Sequence, residues 1–166
     1  MLFGKVLIKD ENPSRAKRLF QMAIDAGDDK LATKNLADMI RDTEPERAIG
    51  LYERAIEVGN TSAYTALAFM IQTRYPDRAM WLCRKAIEGG EVFNSAYLLG
   101  WLLTNRRPQE AIGYLEMAVE AGNHYSAAYA LANLIINQDR QWAYELYRLS
   151  ANAGNPDATI SLSLMA

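Results

Sequence analysis

The side chains in this chain that could do chemistry are few and scattered. There is one histidine, His124, and one cysteine, Cys83. Zinc sites draw three or four ligands from histidine, cysteine and carboxylate clusters at recognisable spacing, and no such cluster is present. Nucleophilic catalysis needs an activated group beside a base and an orienting partner. His124 follows Gly122 and Asn123 in a turn and reads as solvated, while Cys83 stands where related segments carry Tyr52, Leu115 and Tyr147 and reads as a small buried apolar group. The acidic pairs Asp10 with Glu11, Asp28 with Asp29, and Glu44 with Glu46 fall in turns and at helix starts, where carboxylates complement the helix dipole. Arg106 and Arg107 are adjacent in a loop and read as solvated surface. No glycine-rich phosphate loop follows a strand-like segment. These residues predict no catalytic group, no metal site and no cofactor, and hence a non-enzymatic protein.

Bulk properties narrow the partners. A net charge of −2 and a pI near 5.5 lack the basic footprint that nucleic acid requires. No run approaches the roughly 18 apolar residues of a membrane span. Met1 to Ile8 is apolar but broken by Lys5 and reads poorly as a signal peptide. A single cysteine makes no internal disulfide and fits a reducing compartment, so the expected location is cytoplasmic. Asn60, Thr61 and Ser62 form a sequon that could take a glycan only in a secretory setting.

The elements that must position any site are set by a repeat. Alanine recurs at Ala16, Ala48, Ala79, Ala111 and Ala143, at intervals of 31 to 32 residues. Seven places after each stands Ala23, Ala55, Ala86, Ala118 or Ser150, and eleven places after each stands Gly27, Gly59, Gly90, Gly122 or Gly154. A second stripe runs Ala32, Ala63, Ser95, Ala127 and Ala158, each followed four places on by Leu36, Leu67, Leu99, Leu131 and Leu162. A fixed period of this length marks stacked units whose apolar faces are buried only against their neighbours.

Each unit reads as two antiparallel helices. Pro13, Pro45, Pro76 and Pro108 mark helix starts, where the missing N–H costs nothing because first-turn donors lack intrahelical partners. Arg140 takes that place in the last unit and predicts a less sharply set start. Ala48, Leu51, Tyr52, Ala55 and Ile56 share one helical face while Glu46, Arg47, Glu53, Arg54 and Glu57 face water. The companion helix buries Ala63, Leu67, Ala68 and Ile71. Its small residue after the leucine, Ala37, Ala68, Gly100, Ala132 or Ser163, lets two helix axes approach closely.

The pattern of Ala63, Leu67, Ala68, Ala79, Trp81, Ala86 and Gly90, repeated in Ala127, Leu131, Ala132, Ala143, Tyr147 and Gly154, resembles the Sel-one-like repeat, a relative of the tetratricopeptide repeat. The resemblance covers nearly the whole chain and implies an all-α, α/α superhelical solenoid of antiparallel helix pairs. The 31 to 32 residue period is shorter than the family norm, and the glycine-rich insertion usual between the two helices is missing. The phasing makes residues 1–166 a single domain: an incomplete unit over 1–27 with a helix-like fragment from Leu2 to Ile8, full units over 28–58, 59–89, 90–121 and 122–153, and a final helix over 154–166.

The resemblance also implies where a partner would lie. In such repeats the first helix of each unit lines the concave wall, and its outward positions here are Lys34, Asp38 and Arg41; Thr65, Phe69 and Gln72; Tyr97, Trp101 and Thr104; Tyr129, Asn133 and Ile136. Phe69, Tyr97, Trp101 and Tyr129 would form an aromatic stripe that core packing does not require, of the kind enriched at recognition sites. Lys34 and Arg41 would offer a clamp for an acidic group. The implied function is an adaptor that binds a protein or peptide segment in the groove. A rival reading makes the chain a self-assembling unit, dimer or filament, because Ile160, Leu162, Leu164 and Met165 leave its last helix too apolar for full exposure.

Overall fold

The computed structural model describes residues 12–27 and 29–165. The fragment Leu2–Ile8 and the residues Asp10, Glu11 and Asp28 lie outside them. The described residues form ten helices and no strand: α1 Pro13–Asp25, α2 Asp29–Ile40, α3 Pro45–Glu57, α4 Ser62–Ile71, α5 Pro76–Glu88, α6 Val92–Leu103, α7 Pro108–Glu120, α8 Ala127–Ile135, α9 Arg140–Asn152 and α10 Pro156–Met165. Each packs chiefly on its neighbours in the chain, and α4 also reaches α6. This is the all-α solenoid that the period implies.

Local chemistry sets the helix boundaries. Proline opens α1, α3, α5 and α7. The expectation for α9 is corrected: its start is defined by Asp139, whose carboxylate accepts a hydrogen bond from the Trp142 N–H at 2.9 Å. A side-chain N-cap thus replaces the proline rule. At the other end of the outer helices, the five repeat glycines have φ between 83° and 96°. At Gly59 this left-handed turn lets the Asn60 N–H reach the Ala55 carbonyl at 2.8 Å, closing α3 in a Schellman motif.

Small residues let the layers meet. Ala48, Ala55, Ala63, Ala68, Ala79, Ala86, Ala111, Ala118, Ala127, Ala132 and Ala143 are fully buried. Two clusters make up the core, one running from Ala16 to Ala111 and the other from Ala96 to Ala158, so the apolar interior extends along the array rather than around a centre.

A buried asparagine stitches each of three units to the one before. The Asn60 side-chain amide donates to the Lys30 carbonyl at 2.7 Å, Asn123 to that of Phe93 at 3.1 Å, and Asn155 to that of Tyr125 at 2.9 Å. Asn60 is 6% exposed and its nitrogen, the atom a glycan would need, is committed to this bond. Its sequence context as a glycan acceptor is therefore misleading, and its structural work is to satisfy a backbone carbonyl at the junction of two units.

Candidate functional site

The groove that the sequence points to is built by the inner helices α2, α4 and α6. Lys34 and Asp38 from the first with Arg41 just past its end, Thr65 and Phe69 from the second, and Glu91, Phe93 and Ser95 at the start of the third line an open cleft of about 590 Å³. Five of the expected residues, Lys34, Asp38, Arg41, Thr65 and Phe69, thus come together. Gln72, Tyr97, Trp101, Thr104, Tyr129 and Asn133 do not line this cleft.

Their hydrogen bonds sort the candidates. Lys34 pairs with Asp38 at 2.6 Å, and the same carboxylate accepts the Tyr52 hydroxyl at 2.6 Å. Burial first, and the Asp38 carboxylate second, hold the Tyr52 phenol well above the ordinary tyrosine range, so it stays a donor. Asn133 is engaged in the same way by Tyr147, at 2.6 Å. The Thr65 and Ser95 hydroxyls share a hydrogen bond of 2.5 Å that ties α4 to α6. Gln72 donates to the Phe69 carbonyl and Thr104 to that of Gly100, each within its own stretch of chain. Arg41 lies 3.7 Å from Asp42, and both side chains are largely exposed.

The aromatic stripe divides. Phe69 and Trp101 are exposed, the latter 54%. Tyr97 and Tyr129 are instead partly buried against the core, with Tyr129 and Tyr147 ring centroids 5.8 Å apart. Burial raises the Tyr97 phenol above its usual range. The stripe of four expected from spacing is therefore two exposed rings flanked by two half-seated ones. Ile136 also packs on the core.

The charge in the cleft is carried by Lys34, Asp38, Arg41 and Glu91, and α4 and α6 add none within their own spans. Helices α4, α6 and α8 contain no Asp, Glu, Lys, Arg or His, whereas α3 alone carries Glu46, Arg47, Glu53, Arg54 and Glu57. The arginines that could have marked an anion site are paired, Arg106 with Asp77 at 2.6 Å and Arg107 with Glu110 at 3.3 Å. Cys83 is fully buried, and burial pushes its thiol up to about 12. Among the described residues no three of His, Cys, Asp and Glu come together as a metal site, and no helix is long and apolar enough to cross a membrane.

The repeat signature and the stacked helix pairs agree with a known family model. The Sel1 repeat matches residues 1–28, 36–60, 74–91, 94–123 and 124–155. The chain belongs to the Sel1 repeat family. No curated protein matches it. Among solved structures it is similar to a Sel1 repeat protein from Oxalobacter formigenes, with a TM-score of 0.83 and 22% identity over 98% of this chain and 73% of that one. It is also similar to c5321, a protective antigen of uropathogenic Escherichia coli with an SLR fold, with a TM-score of 0.82 and 21% identity over 91% of this chain. The chain spans only 36% of that antigen's length. The immunity protein PA5088 from Pseudomonas aeruginosa is 25% identical over 89% of this chain and 60% of that one, with a TM-score of 0.60.

Sequence reasoning passed over Phe93 and Ser95 in the cleft. Phe93 is the second residue of α6, at a position held by Lys30 and Thr61 in earlier units, so no repeat column announced it. Asp38 and Asn133, expected on the wall, are each bonded to a phenol of the facing helix, Tyr52 and Tyr147. That signal was available only by comparing two helices at once, since each tyrosine lies 14 residues beyond its acceptor.

Proposed function

We propose that this Sel1 repeat chain is a non-catalytic, cytoplasmic scaffold that holds a segment of a partner protein against its inner wall, with Phe69 and Trp101 as anchors. The observation that carries this reading is Trp101, more than half exposed on a helix without a single charged residue. A large ring left in water combines apolar area with few rotors to immobilise, which is the chemistry of interface hot spots. The likeness to an immunity protein supports a protein as the partner. Lys34, Asp38, Arg41, Thr65, Gln72, Tyr97, Thr104, Tyr129 and Asn133 frame the anchors, most of them fixed by the bonds described above.

The test is Trp101→Ala, compared with the wild type in a pull-down and by thermal unfolding. Binding is expected to weaken by about 2 kcal/mol while the melting temperature holds. A matching loss of stability would place the ring in the core instead. A second reading, self-assembly through α10, is favoured by one observation: Ile160 is 58% and Leu164 81% exposed. Light scattering that finds a monomer at high concentration removes it.

A further inference from the structure

We infer that the outer face of α5 and α7 is a self-association surface: in a two-fold dimer, Trp81 of each copy seats in the notch that Gly113 leaves on the other.

Trp81 stands two places beyond the fully buried Ala79, about 200° around the helix, and so points away from the core. It is 51% exposed. Tyr64 braces the indole edge-on, with ring centroids 6.3 Å apart, which leaves little side-chain freedom to lose on docking. The same count from Ala48 and Ala111, also fully buried, lands on Gly50 and Gly113. Both are exposed, with no atom within 4 Å of where a Cβ would stand. Neither has a positive φ, and glycine weakens a helix interior, so the fold of the monomer asks for neither. The outward column of three successive units thus presents one projecting ring between two bare positions.

The surroundings choose between the two notches. Within one turn of Gly113 stand Gln109, Glu110, Glu116 and Met117, and Met117 is 36% exposed, an adaptable apolar lip for an indole. Within one turn of Gly50 stand Glu46, Arg47, Glu53 and Arg54, all charged. Charge points the same way. Helix α7 holds Glu110, Glu116 and Glu120 and no basic residue, whereas α5 holds Arg78, Arg84 and Lys85 against Asp77 and Glu88. Arg84 and Glu116 form no salt bridge among the described residues.

A two-fold axis parallel to these helices and midway between them lays α5 of one copy along α7 of the other at equal height. Trp81 then meets Gly113 twice, and the basic helix meets the acidic one twice. The alternative axis, between α3 and α5, sets Arg47 and Arg54 level with Arg78 and Lys85 and is repulsive. Two helices of 13 residues give a footprint of about 20 Å by 20 Å per copy, or about 800 Å² in all, the size of a weak interface. The inner helices form the opposite layer, so both grooves stay open in the dimer.

Analytical ultracentrifugation of the full-length wild type, Trp81→Ala and Gly113→Gln tests this, from about 10 to 500 μM as a weak interface demands. Both positions are exposed and glutamine is a better helix former than glycine, so both variants fold, which circular dichroism and the melting temperature check. The wild type is expected to dimerise within that range, and each variant to weaken the dimer at least about tenfold. Mixed in equal amounts, the two variants should bind each other at least about threefold more tightly than either binds itself, because one intact indole then meets one intact notch. A wild type that stays monomeric, a variant that dimerises as the wild type does, or a mixture no better than its components would overturn the inference. So would a dimer that Leu164→Asp dissolves and Trp81→Ala leaves whole, since association would then belong to α10.

Discussion

The four complete helix pairs fall into two kinds. In the pairs α2/α3 and α8/α9 the inner column holds Asp38 or Asn133, and the facing outer helix supplies a phenol, Tyr52 or Tyr147, that donates to it. In α4/α5 and α6/α7 the inner column holds Phe69 or Trp101, and the matching outer position is Cys83 or Leu115, fully buried and without a hydroxyl. One column therefore does structural work in the first and last of these four pairs and is left open in the middle two. What a position can offer a partner depends on its opposite number and not on its residue type alone.

The largest expected effect comes from breaking a pair that has no phenol. Such a pair is held by close packing, and Gly100 is its tightest point. A Cβ there would lie 2.7 Å from Leu115 Cγ and 3.2 Å from the Ala111 carbonyl oxygen, positions that neither a branch carbon nor a backbone atom vacates cheaply. Gly100→Val should cost about 3 kcal/mol in chemical denaturation, at the upper end for overpacking. A cost below about 1 kcal/mol would mean that α7 slides aside, and that the untied pairs are looser than the tied ones.

The origin of that close approach was legible in the sequence, because Ala37, Ala68, Gly100 and Ala132 keep one beat and only small residues hold it. Fold was readable for the same reason: each column repeats, so single substitutions such as Arg140 for proline do not hide it. The site was less readable. Phe69 and Trp101 emerged once the phase was set, but the split between tied and open columns needs residues on two different helices to be compared. Asn60 carried a short motif whose familiar meaning concealed its junction role, although Gly59–Asn60, Gly122–Asn123 and Gly154–Asn155 repeat the same pair of residues. Ile160 and Leu164 were expected from their hydrophobicity to be too apolar for exposure, and both are exposed.

A smaller effect sharpens the comparison from the other side, within the tied pairs. Tyr52 donates to a carboxylate and Tyr147 to an amide, at the same 2.6 Å. Hydrogen bonds to charged groups contribute more than neutral ones, but Asp38 is 35% exposed at its side chain and already pairs with Lys34. Tyr52→Phe should therefore destabilise by about 1.5 kcal/mol and Tyr147→Phe by about 1 kcal/mol. Equal losses in parallel thermal melts would show that water at Asp38 has screened away the advantage of the charge.

The smallest effect has the opposite sign and comes from the same open pair as Gly100. Gly113 lies in the middle of α7, exposed, with no atom within 4 Å of where a Cβ would stand. Its backbone has no positive φ, so nothing in the geometry asks for glycine. Glycine in a helix interior loses more backbone entropy on folding than alanine does, by about 0.5 to 1 kcal/mol, and Gly113→Ala should stabilise the protein by that amount. The two glycines separate the forces at work in one helix pair: at Gly100 the neighbouring helix is too close for a methyl group, and at Gly113 only the intrinsic helix preference remains. If Gly113→Ala instead lowered the melting temperature, the outer face of α7 would be packed against something, and the open pairs would have two working faces.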